Sequence, residues 1–372
     1  MKEIRVGVLG YGLMGKVHSH AYRVIPVIYD DHALNFTLEL ACLCGRSREA
    51  VSKRAASFGF KSYETDWRAM VDRDDIDVFD NCGPDSVHVE PTIRAAESGK
   101  HVVCEKPLAL TTDDAYRMLE AVKKAGVKHL CGFHLRFLPA IQLARRLLDK
   151  GALGRVLHVR AAFLEDPVAN TDLFARHRPG PPVSGTIGDL GSHAIDLLRF
   201  LIGEPEAVAA LTRDVVQSEE VSIDDVFVAI VAFKNGVIGT LEASKFAIGR
   251  RSSLELQIYG EKGSMMFDLA SLNYLRVHMA ESGPQDLDIE GTRHINVTDP
   301  THPYAKYWWG AGHGLGWGDA FVNELFHFVS CVVDGTDISP LGATFEDGYK
   351  AVVITDALAR SARSRKEVSI TY

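Results

Sequence analysis

A strand-like run, Ile4-Arg5-Val6-Gly7-Val8-Leu9, leads at once into Gly10-Tyr11-Gly12-Leu13-Met14-Gly15. A G-x-G-x-x-G turn between a strand and a helix, opening a βαβ unit, uses its glycines for three different reasons. Gly10 permits the tight turn, Gly12 lets a pyrophosphate approach the backbone, and Gly15 lets the helix pack close to the strand. The start of the following helix favours negative phosphates. The pattern predicts a dinucleotide-binding domain, with Gly10, Tyr11, Gly12, Leu13, Met14 and Gly15 against the cofactor.

The residues beyond support that architecture. A helix is expected from about Gly12 into the early twenties, and Pro26–Phe36 reads as an insertion. Strands at 38–44, 77–82, 101–104 and 127–131 alternate with helices at 48–58, 66–71, 86–98 and 112–125. This is an α/β pattern, and it predicts a doubly wound parallel sheet of the Rossmann type. The rhythm changes after about residue 135. A helix at 139–150 precedes longer alternating segments at 155–164, 206–216, 225–233, 237–246, 253–260, 263–268 and 272–279. Lys234-Asn235-Gly236 is a hairpin turn, and Glu261-Lys262-Gly263 is another turn. Strands joined so tightly predict a large, mostly antiparallel open sheet in a C-terminal α+β domain. Its alternating Val226, Val228, Ile230 and Ala232 require cover from helices or from another subunit. Helices at 318–334 and 344–363 close the chain, and 180–182 and 281–316 read as loops. The expected division is a dinucleotide-binding domain over 1–133 and a substrate-binding and oligomerisation domain over 134–372.

Charge and composition narrow the partners. Lys and Arg number 41 against 49 Asp and Glu, a net charge of −8, which argues against nucleic acid or an anionic membrane as partner. No apolar run reaches the roughly 18 residues of a membrane span. The chain enters a strand within its first residues, so a cytoplasmic location is expected. Cys42, Cys44, Cys82, Cys104, Cys131 and Cys331 offer no four-ligand zinc spacing and are expected as reduced, buried packing residues. Fifteen histidines without H-E-x-x-H or paired His/carboxylate spacing predict no catalytic metal.

The end of the second strand is where an adenosine ribose binds. An NAD enzyme usually carries Asp or Glu there, whereas this chain has Cys44-Gly45-Arg46-Ser47-Arg48. Arg46 and Ser47 beside Gly45 suit a 2′-phosphate, which leans towards NADP. Arg at this position also stacks on adenine in NAD sites, so NAD stays open.

Three further segments carry a resemblance: Gly83-Pro84-Asp85-Ser86-Val87-His88, Gly99-Lys100-His101-Val102-Val103-Cys104-Glu105-Lys106-Pro107, and Gly188-Asp189-Leu190-Gly191-Ser192-His193. Together with the glycine turn, they make the chain similar over nearly its whole length to the glucose–fructose oxidoreductase/inositol dehydrogenase (Gfo/Idh/MocA) family. His302-Pro303-Tyr304 and Gly314-Leu315-Gly316-Trp317-Gly318 resemble a branch holding levoglucosan-type and inositol or sugar dehydrogenases. The resemblance implies Lys106, Asp189 and His193 as catalytic residues. It also implies Gly83, Pro84, Asp85, Glu105 and Lys106 beside the nicotinamide ribose, and a homodimer or homotetramer built by sheet stacking. His88 sits one helical turn further on, where capping, packing or cofactor contact are all open. Pro84-Asp85 departs from the family's frequent Pro-Asn.

The residues themselves fit that chemistry. Asp189 and His193 are four apart at the start of an apolar helix and so share a face. An imidazole, with an ordinary pKa near 6.5, suits removal of an alcohol proton while a hydride leaves the carbon. Lys106 can stabilise the charge building on that oxygen. His134 replaces the family's usual Asn and either touches a sugar hydroxyl or fills a domain junction. Arg176, His177 and His313 are further substrate-side candidates, and Trp308, Trp309 and Trp317 either stack on sugar faces or seal a subunit interface. The expected activity is an NAD(P)-dependent oxidoreductase acting on a ring secondary alcohol of a sugar, anhydrosugar or inositol. Two rivals remain: a tightly held cofactor recycled in sugar–sugar oxidoreduction or redox-assisted glycoside cleavage, and a non-catalytic sugar or cofactor sensor.

Overall fold

A computed structural model of the chain describes residues 1–29, 34–166, 184–215, 224–280 and 291–372. It divides into two compact units, Met1–Phe137 with Trp317–Val352, and Leu138–Gly316 with Val353–Tyr372.

The first unit holds a six-stranded parallel sheet of β1 (Lys2–Leu9), β2 (Phe36–Cys44), β3 (Ser62–Glu64), β4 (Val78–Asn81), β5 (His101–Cys104) and β6 (His129–Cys131), in the order β3-β2-β1-β4-β5-β6. Its central strands are apolar on both faces except for Asp80 and Asn81 at the end of β4. Val6, Val8, Leu43, Val78, Phe79, Val102 and Val103 are fully buried, as expected of a parallel sheet covered on both sides. Helix α1 (Leu13–Ile28) follows β1, and α2 (Arg48–Phe58) follows β2. Pro26 lies inside α1 instead of opening an insertion. A proline in the last turn removes one donor only, and the Tyr29 N–H still reaches the Ile25 carbonyl at 3.0 Å.

The single boundary expected at 133/134 does not describe this division. Helix Trp317–Asp334 packs along α1 within the first unit. The Tyr29 ring stacks on Phe326 with centroids 3.5 Å apart, and the Tyr29 hydroxyl donates to Asn323 Oδ1 at 2.7 Å. A pairing between residues almost three hundred positions apart leaves no local trace in the sequence.

The second unit is built on β7 (Val156–Leu164), β8 (Pro205–Arg213), β9 (Val226–Phe233), β10 (Ile238–Ser244), β11 (Ser253–Gly260), β12 (Gly263–Asp268), β13 (Tyr274–Met279), β14 (Arg293–Asn296) and β15 (Val368–Ser369). They form one sheet in the order β14-β13-β12-β11-β7-β10-β9-β8-β15. Neighbours are antiparallel except β7 and β10. Strand β14 falls inside the stretch expected as loop, and β15 was not anticipated. Both are short edge strands, too brief for period-two alternation to register. On one face Phe227, Ala229, Val231 and Phe233 are buried. On the other, Val228 is 50% exposed and Ile230 56%, flanked by exposed Leu157, Leu211 and Ile238. Among the described residues, no helix is long and apolar enough to cross a membrane.

Candidate active site

Strand order in the first unit reverses between β1 and β4, and the glycine turn sits at the carboxyl end of β1 beside that reversal. In open α/β sheets this is where a ligand crevice forms. Gly10 has φ +103°, and a Cβ on it would lie 2.6 Å from the Cys82 carbonyl oxygen. A Cβ on Gly15 would overlap the Gly10 carbonyl. The protein's own packing therefore demands both glycines. Gly12 is different, because a Cβ there would meet nothing within 4 Å. Its bareness serves no internal contact. Gly12 is also the N-cap of α1, with no side-chain cap and no acidic residue in the first turn. Uncapped N–H groups at a bare helix start fit a dinucleotide's pyrophosphate.

At the end of β2 the Tyr11 ring lies against Gly45, where any Cβ would overlap it. Arg46 is exposed. The Ser47 hydroxyl accepts the Ala50 N–H at 3.3 Å as the α2 cap, a use the sequence analysis did not assign to it.

The loop after β4 is organised by Asn81, which sequence reasoning missed. Its buried amide donates to the Val87 carbonyl and the Thr92 hydroxyl, both at 3.0 Å, while its Oδ1 accepts the Gly83 N–H at 3.1 Å. Pro84 is exposed and Asp85 half-buried in this loop. Of the readings left open for His88, the structure favours packing, as a strut between loops. His88 is 1% exposed, and its two ring nitrogens lie 2.9 Å from the Pro107 carbonyl and 3.0 Å from that of Gly83. It ties the loop after β4 to the one after β5.

Glu105 is also buried within the protein. Its carboxylate turns inward, with Oε1 2.9 Å from His18 Nε2 and Oε2 accepting the Lys106 N–H at 3.1 Å. Lys106 itself is half-buried at the end of this segment. Beneath lies a cluster the sequence did not reveal. His18 Nδ1 donates to Asp80 Oδ2 at 2.8 Å, the Tyr22 hydroxyl donates to the same oxygen at 3.0 Å, and Cys82 Sγ donates to Asp80 Oδ1 at 3.4 Å. Burial is the largest influence and opposes a charge on His18, but Asp80 and Cys82 together outweigh it and hold the imidazole well above its ordinary pKa of 6.5. His18, Asp80 and Cys82 have the make-up of a metal ligand set. With both imidazole nitrogens donating to carboxylates, neither offers a lone pair to a cation. The i,i+4 spacing of His18 and Tyr22 on α1 was the one available signal, and many core faces share it.

In the second unit, one wide π-helical turn, Ile187–Gly191, opens into the α-helix Ser192–Leu201. Such turns recur at functional sites. Asp189 lies on the wide turn and His193 on the first α-helical turn. His193 is 8% exposed, with its ring 5.9 Å from Phe163. Two residues not singled out from sequence join them. Lys245, just past β10, brings its ammonium to 2.9 Å from Asp189 Oδ2. Asp224 Oδ2 accepts the Ile187 N–H at 2.7 Å, and its own carbonyl accepts the Thr186 N–H at 2.8 Å. Burial pushes the Asp224 carboxyl up to about 6 against the stabilising Ile187 N–H.

Of the remaining candidates, His134 lies in the first unit and is 4% exposed. Its ring stacks on Phe321 with centroids 3.8 Å apart and meets Trp317 edge-on at 5.3 Å. This favours packing over contact with a sugar hydroxyl. Arg176 and His177 lie outside the described residues. His313 is exposed in the second unit, its Nδ1 donating to the Gly310 carbonyl at 2.8 Å. All six cysteines are buried and free of disulfides.

A Rossmann sheet with an uncapped glycine turn, joined to a second unit carrying an Asp/His/Lys group, defines a dinucleotide-dependent oxidoreductase class. A model of the oxidoreductase family with the NAD-binding Rossmann fold matches residues 4–133, and the GFO/IDH/MocA C-terminal domain matches 141–266. The chain belongs to the GFO/IDH/MocA oxidoreductase family. It is 33% identical to the levoglucosan dehydrogenase of Pseudarthrobacter phenanthrenivorans, over 100% of this chain and 99% of that protein. It is 25% identical to the inositol 2-dehydrogenase of Rhizobium meliloti, over 99% of each. A solved levoglucosan dehydrogenase in complex with NADH and levoglucosan superposes with a TM-score of 0.93 at 33% identity, covering 100% of both chains.

Proposed function

We propose that this protein is an NAD(P)-dependent dehydrogenase that moves a hydride between nicotinamide and a ring secondary alcohol of a sugar, anhydrosugar or inositol. The observation that carries the reading is Gly12, bare and uncapped at the strand-order reversal, in a chain matched end to end by sugar and inositol dehydrogenases. The backbone of Gly10–Gly15 would hold the pyrophosphate, and the Gly83–Asp85 loop with Lys106 would border the nicotinamide ribose. Bound nicotinamide supplies the hydride acceptor or donor at its C4. His193 takes the alcohol proton as the C–H hydride leaves, so proton and electron pair part to different acceptors. In the first unit the Lys106 ammonium is the group suited to stabilising charge on an alcohol oxygen, and in the second Asp189 accepts a hydrogen bond from a substrate hydroxyl.

Exposed Arg46, with no acidic residue in Gly45–Arg48, supports NADP, whereas NADH in the similar levoglucosan dehydrogenase supports NAD. Assay with both decides. The second unit is read as the substrate-binding and oligomerisation domain. A second copy covering the open face around Val228 and Ile230 makes a homodimer, or a homotetramer if a further face pairs. A cytoplasmic location follows from the cofactor pool. Screening polyols with NAD and NADP should give absorbance of reduced nicotinamide. His193→Ala should abolish turnover and keep cofactor binding, and full activity in that variant overturns the assignment of the base.

A further inference from the structure

We infer that Lys245 is a positioning residue for the reaction, holding the Asp189 carboxylate charged and aimed at a substrate hydroxyl. The inference rests on the dehydrogenase reading above and concerns which groups of the second unit make Asp189 fit for its part.

The geometry is built from two adjacent residues at the start of β9. The Asp224 carbonyl accepts the Thr186 N–H at 2.8 Å and its Oδ2 accepts the Ile187 N–H at 2.7 Å, which fixes the wide turn bearing Asp189. The next carbonyl, that of Asp225, accepts the Lys245 N–H at 3.1 Å. One short stretch of backbone therefore sets both ends of the Asp189–Lys245 pair. The β10 register fixes Lys245 further, since the Ser244 carbonyl accepts the Glu165 N–H at 2.8 Å. The long lysine side chain is thus anchored at its root and spans to Asp189 Oδ2 at 2.9 Å.

Exposure separates this pair from an ordinary surface ion pair. The Lys245 side chain is 15% exposed, while that of Asp189 is 39% exposed. The ammonium stands behind and the carboxylate faces outward. An exposed pair with two mobile ends contributes little. Here the lysine side chain is largely buried, so much of its ordering cost is already met on folding and it limits the carboxylate's rotamers. It also favours the ionised form, which only accepts hydrogen bonds. An acceptor-only carboxylate selects a hydroxyl donor, and a fixed one selects the hydroxyl at a set place on a ring.

The test compares Lys245→Met, Lys245→Arg, Asp189→Asn and the Lys245→Met/Asp189→Asn double variant, with the polyol that the wild type oxidises best. Lys245→Met should raise the KM for polyol about tenfold with a smaller change in kcat, and leave the KM for cofactor alone. Lys245→Arg should restore most of the loss, since it keeps the charge. In the Asp189→Asn background, Lys245→Met should add little, because the two act as a unit. A wild-type KM in Lys245→Met, or equal KM rises in both backgrounds, overturns the inference while the dehydrogenase reading stands. A wild type that oxidises no polyol overturns that reading, and this inference with it. If Lys245→Met misfolds, the same comparison is made with Lys245→Gln.

Discussion

His18 and Glu105 meet at 2.9 Å with the imidazole wholly out of water, so the segment preceding Lys106 is held by a buried ion pair. Asp80 holds the other nitrogen at 2.8 Å. Removing the cation leaves two carboxylates buried without a positive charge. His18→Ala should lose about 3–5 kcal/mol of stability, measured by urea unfolding. The folded His18 pKa is raised, so the native state holds a proton the unfolded state releases. That stabilisation is full below about pH 6.5 and is lost as pH rises through the folded value. The melting temperature of the wild type should therefore fall on the alkaline side.

The glycine turn separates folding from binding. Gly15→Ala drives a Cβ into the Gly10 carbonyl and should cost about 3 kcal/mol of stability. Gly12→Val places its Cβ where no atom lies within 4 Å and, as a poorer N-cap, should cost no more than about 1 kcal/mol. It should still weaken NADH binding about tenfold or more by blocking approach to the backbone. Melting curves and NADH fluorescence titration distinguish the two.

Asp224 has the opposite relation to pH from an ordinary paired carboxylate. Its folded pKa of about 6 lies above its ordinary 3.8. The native state thus binds more protons than the unfolded one between those values. Stability falls as pH rises through that window, by roughly 3 kcal/mol in all. Asp224→Asn keeps an oxygen for the Ile187 N–H and removes the charge. Its melting temperature should match the wild type near pH 4 and exceed it at pH 8.

Arg46→Asp places a carboxylate where the adenosine ribose is expected. The ratio of kcat/KM for NAD over NADP should rise about tenfold or more, through lost phosphate attraction and gained ribose hydroxyl bonding.

Ile230→Asp puts a charge into the exposed apolar face of β9. It should leave the folded unit intact and shift the mass measured by light scattering towards the monomer.

The Rossmann sheet was legible because each of its longer strands is a run of apolar residues closed by glycine, proline or a cap, and because the positive φ of Gly10 and the close fit of Gly15 on the Gly10 carbonyl are local. The glycine turn was legible for the same reason. Glu105 was placed beside the cofactor from its motif, while His88 and His134 were left open between packing and ligand contact. The structure turns them to carbonyls, to His18 and to Phe321, partners that lie 5 to 187 positions away. Lys245 carried no signal at all, since a lysine after a strand is ordinary until Asp189 is found 56 residues upstream at 2.9 Å.

By itself the sequence determined the alternation of elements, the glycine turn and the Asp189/His193 spacing, because all three depend on residues within a few positions of one another. Only the tertiary structure decided that Trp317–Asp334 packs on α1, that His18 is caged by Asp80 and Glu105, and that Lys245 backs Asp189. Burial and charge pairing act through space, and the chain reveals them only where distant segments have been brought together.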